Sequence, residues 1–173
     1  MTTAHNLYQQ DFYLWTEATA QQLRQREFAQ VDVANLIEEV ESIGQGEKRE
    51  LKSRLIVLLM HLLKWMYQPG KRSDSWINTI TEQRIALEEL LEDSPSLRCD
   101  PRAIYSPIGK RTVAFLPEVF EQCYQKARIK AAQETGIKLS TFPDQCSFDQ
   151  EQVLEAGFFP EVLNRESGIG NRE

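Results

Sequence analysis

The sequence predicts an all-α fold, an irregular helical bundle around one central apolar helix. Three observations carry that expectation. Apolar residues recur at three- and four-residue steps along most of the chain, the repeat of one helix face. No segment alternates apolar and polar residues at period two, so no sheet is expected. The stretch 47–68 is apolar around most of its circumference, which only a helix packed on several sides can tolerate.

The elements follow in order. A first helix is expected over about 11–25, with Tyr8, Phe12, Trp15, Thr19 and Leu23 on one face. Asp32 can cap a second helix by accepting backbone N–H bonds of its first turn. Val33, Leu36, Ile37, Val40 and Ile43 form its apolar stripe. Gly44 falls where a left-handed helix end is expected, and Gly46 lies in the same break. The third helix, 47–68, is the core element; Leu59 and Leu63 should be essentially buried. Pro69-Gly70 ends it.

Ser73 or Ser75 caps a fourth helix running to about Asp93, and Ser94-Pro95 marks another start. The stretch 100–116 holds Pro101, Pro107 and Gly109 and reads as a broken or loop region. Pro117 opens a helix to about Glu134, with Phe120, Cys123, Tyr124, Ala127 and Ala131 on one face and Gly136 as its stop. Ser147 and Gln150 fit a capping box for a last short helix ending at Gly157. The organisation expected is one helical domain over 1–163 and a frayed tail over 164–173.

Length and composition bound the function. The chain has 173 residues, 41% hydrophobic and 27% charged, enough to build a core and typical of a globular protein. The formal net charge of −6 argues against non-specific binding to nucleic acid or a membrane. The longest apolar run, 55–60, is broken at His61 and Lys64, well short of the roughly 20 residues that span a bilayer. The opening MTTAHNLYQQ lacks the basic and apolar regions of a signal peptide, so a cytoplasmic protein is expected. Cys99, Cys123 and Cys146 are odd in number and not at metal-ligand spacing; reduced, small apolar residues are the plain reading.

One residue breaks the pattern. On the fourth helix Ile77, Ile80, Leu87 and Leu91 define the apolar centre, and Arg84 falls within roughly 25° of it. A guanidinium cannot shed its proton, and unpaired burial costs several kcal/mol. It needs a carboxylate. On the second helix Glu38 points away from the stripe by roughly 160°, whereas Glu39 and Glu41 flank it on opposite sides at roughly 100°. The expectation is a bond from Arg84 to Glu39 or Glu41. On the third helix Glu50, Arg54, His61, Lys64 and Gln68 share one narrow polar seam, with Glu50 and Arg54 in the stabilising i, i+4 order.

Two readings of this set stand. Glu39 or Glu41, Arg54, His61 and Arg84, with Trp76 near the rim, form a charged cleft. Such a cleft could bind a small anion or do acid–base work, since His61 titrates near neutrality. Alternatively they form a structural ion-pair network that fixes helix packing. Trp15, Trp65 and Trp76 read as core. Lys110, Arg111, Lys126, Arg128 and Lys130 read as a solvated face. No cofactor or metal is implied: the chain has only His5 and His61, no Glu-x-x-His pair and no Gly-rich phosphate loop. No nucleophile stands out.

Several stretches together carry a resemblance. They are Asp11-Phe-Tyr-Leu-Trp15, Asn35-Leu-Ile-Glu-Glu-Val-Glu-Ser-Ile-Gly44, His61-Leu-Leu-Lys-Trp65, Gln68-Pro69, Ser75-Trp76, Gln83-Arg84 and Ser94-Pro-Ser-Leu97. Glu134-Thr-Gly136 and the Phe142-Pro143 turn extend them to about residues 8–160. The chain resembles a bacterial family, abundant in cyanobacteria, known as domain of unknown function number twenty-nine. The resemblance implies an all-helical bundle in a bacterial cytoplasm and supplies no activity, cofactor or catalytic residue. The stretch 99–116 is longer than the family pattern. The function expected first is a protein–protein interaction module, with an unidentified protein partner or a second copy. The second is a small-anion-binding protein or metal-independent enzyme using the charged set.

Overall fold

A computed structural model describes residues 4–98 and 115–161, and the side chains of all but 4–6 among them. The loop expected over 100–116 lies outside these residues except for its last two, and the tail 164–173 lies outside altogether. The fold is all-α, and no strand occurs among the described residues. Six α-helices follow in order: α1 (Ala4–Gln10), α2 (Phe12–Gln25), α3 (Val33–Tyr67), α4 (Asp74–Asp93), α5 (Phe115–Thr135) and α6 (Gln150–Leu154). Single 3-10 turns sit at Pro69–Lys71, Pro95–Leu97 and Leu139–Thr141. Packing divides the chain into two compact units, Met1–Glu47 and Lys48–Glu173.

In the first unit, Asp11 ends α1 and caps α2 by accepting the Leu14 N–H at 3.0 Å. The helix α1 was not expected. Arg26 closes α2 in the left-handed region at φ 60°, donating its N–H back to Gln22 and Leu23. Asp32 caps α3 as expected, accepting from Asn35 N at 3.3 Å, while the Asn35 amide nitrogen donates to its other oxygen at 2.7 Å. Tyr8, Phe12 and Trp15 form an edge-and-stack cluster with centroids 4.9–5.9 Å apart.

The expected break at Gly44 and Gly46 does not occur. Residues 33–67 form one helix of 35 residues. Glycine costs a helix interior only about 1 kcal/mol relative to alanine. Glu, Lys and Arg follow at once, and no proline removes a hydrogen bond. Neither glycine has a neighbour within 4 Å of where a Cβ would stand.

The second unit is built on the later part of α3. Leu51, Leu55, Leu58, Leu59, Leu62 and Leu63 are fully buried, at heptad-like spacing plus flanks, so this segment has apolar neighbours on several sides. They pack with Ile80 and Leu87 of α4, with Tyr124 and Ala127 of α5, and with Phe142 and Val153 beyond it. Helix α5 begins at Phe115, two residues before the expected start, because Pro117 sits in the first turn where no intrahelical N–H bond is lost. Gly136, at φ 73°, stops it and returns its N–H to Ala132 at 3.0 Å. The capping box of α6 is Asp149 and Gln152, two residues after the expected pair: Asp149 accepts from Gln152 N at 2.8 Å and Gln152 Oε1 accepts from Asp149 N at 3.1 Å. An aspartate accepts such bonds better than the serine at 147.

Candidate functional site

Arg84 lies where its helix position puts it, 5% exposed on the core face of α4. Its partners differ from the expectation. Nε donates to Val153 O at 2.9 Å, Nη1 to Ala156 O at 3.0 Å and Nη2 to Phe158 O at 2.6 Å. Three backbone carbonyls stand where a carboxylate from Glu39 or Glu41 was expected. The physical reason is that Val153 sits in the last turn of α6, where carbonyls have no intrahelical donor, and Ala156 and Phe158 lie in the irregular segment after it, where backbone carbonyls must find other donors. They satisfy a fork of N–H donors without a formal charge. The Phe159 ring adds a cation–π contact, with its centroid 5.6 Å from the guanidinium carbon. Burial lowers the arginine's pKa and the field of Glu155 raises it; the group stays protonated at any ordinary pH.

The aromatic contacts continue outward. Phe159 packs on Trp65 with centroids 4.8 Å apart, and Arg72 covers Trp65 at 4.7 Å while its Nε donates to Trp65 O at 3.1 Å. The order Arg72, Trp65, Phe159, Arg84 is a cation–ring–ring–cation series, its rings tilted at 48°, that fastens the chain after α6 to α3 and α4. Trp76 is half-buried beneath Lys64, whose ammonium lies 4.8 Å from its ring centroid and 2.7 Å from Glu134 Oε2.

His61 is half-buried and its Nδ1 lies 2.9 Å from Val57 O. A carbonyl only accepts, so Nδ1 carries the proton. Burial lowers the His61 pKa; the Val57 carbonyl and Glu134 oppose that, while Lys64 adds to it. The ring is therefore neutral at pH 7. Arg54 pairs with Glu50 at 2.8 Å on the surface, as the i, i+4 spacing predicts. It lines a shallow groove with Asn78, Thr81, Glu82, Ile85, Ala86 and Glu89 of α4. Arg84 instead borders a small cavity of about 50 Å³ with Glu88, Leu91, Arg98 and Leu154. Arg54 and Arg84 thus line different openings.

In the first unit Glu39 accepts the Tyr8 hydroxyl at 2.5 Å, a bond that raises the tyrosine's pKa. Glu41 is exposed. Arg128, read as part of a solvated face, is buried instead: Nη2 reaches Asp144 Oδ1 at 2.6 Å and Nη1 reaches Gln125 at 3.1 Å. It falls on the Cys123–Ala127–Ala131 side of α5, and its flexible stem lets the head reach out to Asp144. Lys126 and Lys130 are exposed as expected, and Lys110 and Arg111 lie outside the described residues. Burial raises the thiol pKa of Cys123, and that of Cys146 to about 11, so neither is a ready nucleophile. No group of three or more metal-ligating side chains occurs among the described residues.

What the residue-by-residue reading missed is the surface of the first unit. Val33, Ile37, Val40 and Ile43 are 52–67% exposed. The side of α3 that meets α1 bears Glu39, bonded to Tyr8, and Asn35 is buried on the same side. It lies about 120° round the helix from the stripe. Of the twelve exposed large hydrophobics among the described residues, nine lie in this unit; the others on it are Phe12, Tyr13, Leu14, Leu23 and Phe28. Residues 1–47 also carry eight acidic side chains against Arg24 and Arg26, a net of −6, while the remaining 126 residues carry eighteen of each sign. That asymmetry was readable from the sequence alone.

No described helix is long and apolar enough to cross a membrane. No curated protein and no solved structure matches the chain. A family model does, over residues 7–159, nearly the whole span described above. The chain belongs to the family described as Domain of unknown function DUF29.

Proposed function

We propose that this protein is a helical protein–protein interaction module of a bacterial cytoplasm, and that its first 47 residues present the docking face. One observation carries the reading: exposed large hydrophobics are concentrated on that unit, four of them in a continuous stripe along α3. Scattered exposed apolar residues are ordinary, whereas a contiguous patch marks a surface that is covered in use. The other reading, a small-anion site or metal-independent enzyme, needs Arg54, His61 and Arg84 around one opening. Arg54 and Arg84 border separate ones, and His61 spends its one N–H on its own helix.

The test is site-specific photo-crosslinking in the full chain inside cells. A crosslinking residue at Val40 should give a discrete adduct that disappears when Ile37→Asp is added, and that re-forms from the two purified components. A crosslinker at Glu89, exposed on α4, serves as the reference. Adducts at Val40 no stronger than those at Glu89 would end the reading.

A further inference from the structure

The stripe on α3 says more than that something binds. Val33, Ile37, Val40 and Gly44 are spaced 4, 3 and 4 residues apart, the alternation of a seam that receives another helix. Gly44 has open space where a side chain would stand, so a bulky knob from a facing helix can seat there. Glu41 is exposed beside the seam, at roughly 70° from its centre, whereas Glu39 lies beyond the other flank and bonds Tyr8. Residues 31–47 hold five acids and no lysine or arginine.

Resting on the interaction reading above, we infer that the occupant of this face is a basic amphipathic helix of another protein, laid along residues 33–44 of α3 with Lys or Arg beside its apolar ridge, where they meet Glu41 and the negative field of this unit. The sign of the charge separates the candidate occupants. A second copy would set a unit of net charge −6 against an identical one, and like charges facing each other across an interface oppose docking. An anionic membrane surface or a nucleic acid is repelled for the same reason. A helix with basic flanks gains from both the seam and the negative charge around it, and its association is accelerated at low salt.

The experiment uses the full chain and two synthetic helical peptides with one apolar ridge, one flanked by lysines and the other by glutamates. Binding is read by fluorescence anisotropy at two salt concentrations. The lysine-flanked peptide should bind at least about tenfold more tightly, and the difference should shrink as salt rises. Val40→Asp should abolish its binding, and Glu41→Lys should narrow the preference at low salt. Circular dichroism of each variant checks that it remains folded. Equal binding of the two peptides, binding of neither, or binding untouched by Val40→Asp overturns the inference. A dimer in sedimentation equilibrium that Val40→Asp dissociates also overturns it, assigning the face to a second copy. Those results leave the interaction reading intact so long as the Val40 crosslink is seen; loss of that crosslink removes both.

Discussion

The two compact units treat the same kind of helix in opposite ways. In the second, the apolar residues of α3 are sealed into a core cluster that draws on α4, α5 and the segments after α5. In the first, the described residues that are buried are Trp15, Thr19 and Asn35, and the apolar stripe of α3 faces outward. Both segments belong to one continuous helix, and both show clean helical periodicity. Periodicity reports that a helix has an apolar face. It does not report what that face meets. The distinguishing signal is charge: the first unit carries the chain's whole net charge.

The largest expected effect tests that difference directly. Leu59→Ala, at a side chain with no exposure, should lower stability by about 2–5 kcal/mol through lost burial and the cavity left behind. Ile37→Ala, the same kind of truncation on the same helix, should stay within about 0.5 kcal/mol. Urea denaturation followed by circular dichroism measures both. A comparable loss at Ile37 would mean that the stripe is buried, and would dissolve the contrast.

Next comes Arg84. Arg84→Met leaves three carbonyls without their charged donor, and should cost about 2–4 kcal/mol. Arg84→Lys should recover little of it, because an ammonium is a point charge and cannot span three separated acceptors. Full rescue by lysine, seen in the same denaturation experiment, would reduce the site to simple charge.

Smaller still is the effect at the two helical glycines. Gly44→Ala and Gly46→Ala each relieve an entropic penalty with no clash. Each should stabilise α3 by about 1 kcal/mol or less. Amide hydrogen exchange should slow around residues 42–50. Exchange unchanged there would show that helix propensity does not limit this stretch.

The smallest effect is a pH dependence. His61 has a folded-state pKa below its ordinary value of 6.5, so the unfolded chain takes up the proton first as pH falls. Stability from this group is present above about pH 6.5 and declines as pH drops from there toward the folded-state pKa. His61→Gln should flatten that part of the stability–pH curve. An unchanged slope would show that His61 is solvated like an ordinary histidine.

Much of the fold was legible because helix signals are local. The apolar runs, Asp32 as a cap and Gly136 as a stop are all short-range chemistry, and each appears as expected. Leu59 and Leu63 are buried as expected. The helix wheel also placed Arg84 on the buried face. Its partners were not legible, because a backbone carbonyl has no side chain to announce it; every residue offers one. Gly44 misled for a related reason: glycine permits a helix end, and whether one forms depends on the residues that follow. Arg128 shows a third limit. Its place on α5 was visible, but only the turn after Leu139–Thr141 brings Asp144 within reach.

The carbonyls held by Arg84 belong to residues 153, 156 and 158, which leave the ribosome long after α4 does. Until then the arginine has its place on α4 but none of these acceptors, and the apolar side chains beside it gain little by closing around a bare charge. Translation therefore delivers the last condition for sealing this core only when residues 153–158 emerge. A nascent chain stalled before residue 153 should remain open to proteases at α4, and one extended past residue 160 and clear of the exit tunnel should not. The arginine makes synthesis of residues 153–158 a requirement for closing the core around α4.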